Sequence, residues 1–90
     1  MSLDTSMKVI VIDDMMTMRK IITKMLKGIG FTDITEADDG ATAWPLIEEA
    51  HKNGKPFQFI VSDWNMPKMS GLDLLIKIRA TEGINDTPFL

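Results

Sequence analysis

Lys8-Val9-Ile10-Val11-Ile12-Asp13-Asp14 is the stretch that decides the fold. Four β-branched residues in succession, with no polar residue alternating among them, read as a strand buried on both faces, the pattern of a central strand in a parallel sheet. The run stops on two carboxylates. Beyond them Met18, Ile21, Ile22, Met25 and Leu26 recur at i, i+3, i+4, i+7 and i+8, one apolar stripe along a helix. Gly28 and Gly30 supply its stop, and Met18 and Met25 are expected in the core with the rest of the stripe. Asp33-Ile34-Thr35-Glu36-Ala37 is a shorter strand, closed by Asp38-Asp39-Gly40. Ala43, Leu46, Ile47 and Ala50 repeat the helical spacing up to Asn53-Gly54-Lys55-Pro56. Phe57 to Ser62 forms a third strand and stops at Asp63. After the loop Trp64 to Gly71, a helix runs through Leu72, Leu75, Ile76 and Arg79, and Pro88-Phe89-Leu90 begins a fourth strand.

Strand and helix thus alternate three times with short connections, which implies an α/β fold of parallel strands joined by right-handed crossovers. Pro45 is the one misfit: inside a helix it removes a hydrogen bond, so the second helix must begin late or bend there. The 90 residues suffice for one domain with a small core. A hydrophobic fraction of 44% with 26% charged residues argues against disorder. No apolar run approaches the 18 residues of a membrane span, and the first residues lack the pattern of a signal peptide. The absence of Cys excludes a disulfide scaffold, thiol catalysis and Cys-ligated metal, and is in keeping with a cytoplasmic chain. A net charge of −3 gives no footprint for nucleic acid.

In an open parallel sheet ligands bind beyond the carboxyl ends of the strands. Asp13 and Asp14 leave the first strand at that rim, and Asp63 leaves the third. If the two strands are neighbours, three carboxylates converge that would repel one another without a cation. A hard divalent ion such as Mg²⁺, held by carboxylates with positions left for waters and a phosphate, offsets the repulsion. A carboxylate can also attack phosphorus to form an acyl phosphate, and Asp63 is the best placed nucleophile. One of Asp13 and Asp14 would meet the metal directly and the other through water. An Asp-Asp pair after a strand more often merely caps a helix; what favours a site is that acids end both long apolar strands, each followed by a helix. Asn65 could add an amide or a main-chain carbonyl, or serve only the turn that Pro67 and Gly71 indicate.

The remaining chemistry-bearing residues have blander readings. His51, the single histidine, reads as a solvated residue favoured by a helix C-terminus. Met15 and Met16 border the acidic pocket. Trp64 either closes over it or is a half-exposed loop aromatic. Trp44 carries no functional reading. Arg19, Lys20, Lys24 and Lys27 form a solvated basic face on the first helix.

Val11-Ile12-Asp13-Asp14-Met15-Met16-Thr17-Met18-Arg19-Lys20, together with Asp63-Trp64-Asn65-Met66-Pro67-Lys68-Met69-Ser70-Gly71, resembles the receiver domain of two-component response regulators, its chemotaxis branch above all. The likeness covers about residues 7–90, with residues 1–6 a leader. It implies a three-layer flavodoxin-like parallel sheet of strand order 2-1-3(-4-5), with this chain ending within the fourth strand. It implies that Asp63 is the 4-aspartylphosphate acceptor, taking phosphate from a phosphohistidine on a sensor histidine kinase. It also implies Mg²⁺ held by Asp14, Asp63 and the main-chain carbonyl of Asn65, with Asp13 reaching it through water. Such a domain phosphorylates itself and is not a turnover enzyme. The implied downstream partner is a flagellar motor switch protein, with neither nucleic acid nor membrane as partner.

Two departures stand out. Ser70 occupies a position where many relatives carry Asp, though it can still cap the third helix with Asp73. The Ser or Thr at the end of the fourth strand, and the Lys and aromatic residue of the fifth, have no counterparts. Without the last helix, about 400 Å² of apolar surface left open would forfeit about 10 kcal/mol. The expectation is therefore a chain compromised in signalling that does not persist as a native-like monomer, but pairs as a homodimer or domain swap. Competing readings are a non-phosphorylating interaction module, a phosphatase with an aspartate nucleophile, and a flavin binder. The phosphatase would want an acid where Asn65 stands, and the flavin phosphate would be repelled by Asp13 and Asp14.

Overall fold

The computed structural model describes residues 4–63 and 69–90. Strand β1 (Lys8–Ile12) is followed by α1 (Met16–Ile29), β2 (Asp33–Ala37), α2 (Gly40–Lys52), β3 (Phe59–Ser62) and α3 (Gly71–Arg79). β1 lies between β2 and β3 and pairs in parallel with both, Val9 standing opposite Ile34 on one side and Phe59 on the other. The order β2-β1-β3 is the expected one. A fourth line of chain begins along β3: Ile60 donates its N–H to Pro88 O at 2.9 Å and accepts from Leu90 N–H at 2.8 Å, around a parallel bridge from Ile60 to Phe89.

Alternation along the strands separates two cores. Val9 and Val11 face one side, where Phe31 and the half-buried Ile22, Leu26, Ile34, Phe59 and Val61 pack on them beneath α1. Ile10, Ile12 and Ile60 face the other, covered by Ala43 and Ile47 of α2 and Leu74 and Ile78 of α3, with Phe57 and Ile84 closing the edges. The result is three layers: α1, the sheet, and α2 with α3. Because β1 is central, its apolar residues from Val9 on are enclosed from both sides.

The helix ends follow local chemistry. Gly30, at φ 126°, takes the left-handed turn that closes α1 and donates its N–H to Leu26 and Lys27 carbonyls. Asp39 caps α2 by accepting from Thr42 N–H at 2.8 Å, and Ser70 caps α3 by accepting from Asp73 N–H at 3.1 Å.

Four expectations are corrected. The stripe on α1 is rotated: Ile22 and Leu26 pack on the sheet and Thr23 is buried, whereas Met18, Ile21 and Met25 are 44%, 48% and 63% exposed. One helix touches a sheet along a single narrow line, and the apolar pattern of α1 is wider than that line. The helix α3 is similarly turned, its buried side formed by Gly71, Leu74 and Ile78, with Leu72 and Ile76 exposed. Five closely spaced apolar residues left its phase ambiguous. Pro45 does not delay α2, which starts at Gly40 and carries the proline, exposed, in its second turn. Finally, β3 begins at Phe59, and Phe57 serves the α2–α3 core ahead of the strand.

Candidate metal centre

The acidic site is built by extending the ladders one residue past the strands. Asp13 donates its backbone N–H to Ala37 O of β2 at 3.1 Å, and Asp63 donates its own to Ile12 O of β1 at 2.9 Å. The parallel register therefore delivers the two acids to adjacent places on the same rim. Asp13, Asp14 and Asp63 each offer a carboxylate oxygen within 4.8 Å of the others. Asp13 is buried, Asp63 half-buried and Asp14 exposed, so the group opens to solvent on one side. The helix-cap reading does not hold: the N-cap of α1 is Met15, with no side-chain cap, and Asp13 Oδ1 instead accepts from Met15 N–H at 2.9 Å in the turn ahead of the helix.

Like charges about 5 Å apart repel by roughly 3 kcal/mol at an effective dielectric near 20. Three such groups are thus a poor arrangement for a bare protein and a good one for a hard divalent cation. The donors are all carboxylate oxygens, without nitrogen or sulfur, which fits Mg²⁺ rather than a softer metal. Asn65, expected to offer its main-chain carbonyl to the metal, lies outside the described residues, as do Trp64 and Lys68.

A second set of contacts surrounds the rim. Arg19 Nη1 donates to the main-chain oxygen of Asp13 at 2.7 Å, while its Nε donates to Glu36 Oε1 at 3.1 Å. Lys20 Nζ binds the other Glu36 oxygen at 3.0 Å. Lys20, ahead of Arg19 in effect, holds the Glu36 carboxyl below its ordinary pKa, against a smaller opposing push from burial. Arg19 and Lys20 therefore are not simply part of a solvated basic face, and the Arg19 side chain is only 13% exposed. Spacing gave only a partial signal: Arg19 lies three and seven residues before Ile22 and Leu26, but the apolar pattern of α1 is too wide for that spacing to show which side meets the sheet.

Other singled-out residues take structural places. His51 sits half-exposed in the last turn of α2, against Gly83, where an added Cβ would fall 2.5 Å from the imidazole Cε1. Lys77 of α3 lies over the Trp44 ring of α2, 5.3 Å from its centre. A cleft of about 400 Å³ lined by Lys8, Asp33, Lys55 and Gln58 lies at the opposite rim of the sheet, away from the acids.

The sequence profile of the response regulator receiver domain matches residues 9–90. The chain belongs to the response regulator receiver domain family. This receiver domain is 46% identical over 84 residues to the chemotaxis protein CheY of Pseudomonas aeruginosa, covering 93% of the chain and 64% of that protein. It is 44% identical over 88 residues to CheY-3 of Vibrio cholerae, covering 98% and 64%. It therefore spans just under two thirds of the length of these curated relatives. Its structure is similar to that of Vibrio cholerae CheY4, with a TM-score of 0.77 at 30% identity over 93% of this chain and 65% of that one. The receiver domain of the Arabidopsis thaliana histidine kinase CKI1, solved with Mg²⁺ and BeF₃⁻, gives a TM-score of 0.77 at 29% identity over 92% and 62%. Among the described residues, no helix of the receiver domain is long and apolar enough to cross a membrane.

Proposed function

We propose that this receiver domain is a phosphoacceptor of two-component signalling, in its chemotaxis branch, with Asp63 as the residue modified. The observation that carries the reading is the convergence of Asp13, Asp14 and Asp63 within 4.8 Å at the carboxyl rim of the sheet. An Asp63 carboxylate oxygen attacks the phosphorus of a kinase phosphohistidine; the P–N bond breaks, its electron pair leaves with the imidazole, and an acyl phosphate remains on Asp63. Asp14, Asp63 and the Asn65 main-chain carbonyl would hold Mg²⁺, with Asp13 acting through water. The ion, when bound, supplies neutralising charge for the phosphoryl oxygens. Asp13, buried and tied to Met15 N–H, keeps a fixed place beneath the other two acids. Asp63 is anchored at its backbone, through its N–H to Ile12 O, at the rim where β3 ends. A CKI1 receiver domain crystallised with Mg²⁺ and the phosphoryl mimic BeF₃⁻ supports the chemistry by similarity.

The product is a modified protein, so the domain acts as a switch and not as a turnover enzyme. New charge on Asp63 would bias a surface toward a downstream partner. By likeness to the chemotaxis relatives, that partner is a flagellar motor switch protein, and the donor a sensor histidine kinase in the cytoplasm. The test is incubation with acetyl phosphate and Mg²⁺, read by intact mass. Wild type should gain one phosphoryl group and Asp63→Asn none. A wild-type mass that never changes, or an unchanged gain in the variant, removes the assignment.

A further inference from the structure

We propose that Arg19 is a positioning residue for the acidic site, holding the peptide from which Asp13 and Asp14 both branch, with Glu36 setting the guanidinium in place. The inference rests on the phosphoacceptor reading and adds residues to it. The Asp13 carbonyl belongs to the peptide between Asp13 and Asp14, and its oxygen receives Arg19 Nη1 at 2.7 Å, a short charge-assisted bond. The same guanidinium gives Nε to Glu36 Oε1 at 3.1 Å, so it spans from the β1 exit to β2. Asp13 N–H meanwhile bonds Ala37 O, and Asp13 Oδ1 takes Met15 N–H. Asp13 is thus held at three points, its N–H by β2, its carboxylate by the start of α1 and its carbonyl, which belongs to the peptide shared with Asp14, by Arg19. The guanidinium is held from behind as well. Glu36 is itself fixed by Lys20, which binds its other carboxylate oxygen at 3.0 Å.

The charge of Arg19 makes the proposal sharp. A cation beside three carboxylates opposes the binding of another cation, so by electrostatics alone its removal tightens Mg²⁺ binding. If Arg19 acts by orienting the Asp13–Asp14 peptide, its removal loosens the ligand geometry and weakens binding instead. Groups that orient metal ligands from behind typically matter by 10- to 100-fold in affinity. The two accounts differ in sign.

The experiment is calorimetric titration of the full chain with MgCl₂, with thermal melts in EDTA as a check of folding. Arg19→Met is expected to raise the Mg²⁺ dissociation constant about tenfold. Arg19→Lys, which keeps the charge but cannot bridge the Asp13 carbonyl and Glu36 together, should also weaken binding, by a smaller factor. Glu36→Gln should weaken it in the wild-type background and add nothing on top of Arg19→Met, because it acts through the guanidinium. Unchanged or tighter binding by folded Arg19→Met overturns the proposal, even if its melting temperature falls, since that pattern marks a merely structural bridge. Should Arg19→Met not fold, Arg19→Lys decides, and affinity equal to wild type overturns the proposal. Wild-type protein that binds no Mg²⁺ removes the phosphoacceptor reading itself, an outcome distinct from loss of the Arg19 role alone.

Discussion

Glu36 satisfies two cations at once, one oxygen on Arg19 and the other on Lys20. Its carboxyl is held below the ordinary glutamate value, first by the Lys20 hydrogen bond and then by Arg19, while burial works the other way. The folded protein therefore gives up the charged form only at lower pH than the unfolded chain does. Its contribution to stability is complete above the unfolded value and is lost as pH falls through the lowered folded one. Unfolding free energy of Glu36→Gln should accordingly vary less steeply than that of wild type from about pH 5 downward. Urea titrations at a series of pH values would show this as converging midpoints in acid. The acids of the site could be read directly because each ends a strand whose apolar run is unmistakable. Arg19 could not be read with the same ease: a basic residue on a helix is usually solvated, and only the position of Glu36 on the neighbouring strand shows what it meets.

At the scale of elements, the close approach of α2 to the chain before α3 rests on the size of one residue. Gly40 donates its N–H to Met69 O at 3.2 Å, and a Cβ at this position would stand 2.5 Å from that same oxygen. A backbone atom cannot step aside as a flexible side chain does. Gly40→Ala should therefore destabilise by about 1–3 kcal/mol, although alanine is the better helix former. Denaturant unfolding would measure the loss. A neutral or stabilising result would mean that the contact with Met69 yields easily. The helix cap at Ser70 was legible because capping is a local matter of one side chain and a backbone N–H three residues on, while the same chemistry at Asp39 reads from the sequence only as the end of a strand. The faces of α1 and α3 were not legible, since both carry more apolar residues than a single contact line can bury.

For the whole molecule the consequence lies on the outer flank of α1. Arg19 and Lys20 turn one flank toward Glu36 on β2, so Met18, Ile21, Met25 and Ile29 occupy the opposite flank, on the β3 side. All four are exposed, and Phe59 and Val61 of β3 are only half-buried nearby. A continuous apolar stripe of this length exceeds the scattered exposure usual on a soluble surface. The 90-residue chain should therefore associate in a concentration-dependent way. Sedimentation velocity over a hundredfold range of concentration is the appropriate measurement. Ile21→Lys with Met25→Lys should shift the distribution toward monomer without lowering the melting temperature, because neither side chain is buried. A wild-type chain that sediments as a monomer throughout would show that the stripe is tolerated in water.

The family likeness implied that β1 and β3 are neighbours, which gathers Asp13, Asp14 and Asp63 at one rim; from the residues' own pattern followed the parallel α/β order and the strand ends at their acids. These are consequences of short-range pattern: a β-branched run must be enclosed, and a strand's last residue marks the edge where the sheet opens. Only the tertiary structure decided which line of α1 and α3 meets the sheet, and that Arg19 reaches back to the Asp13 carbonyl while Glu36 braces it. Those choices depend on how far each helix is rotated over its strands, and that rotation is set by contacts between segments distant in the chain, which no local spacing specifies.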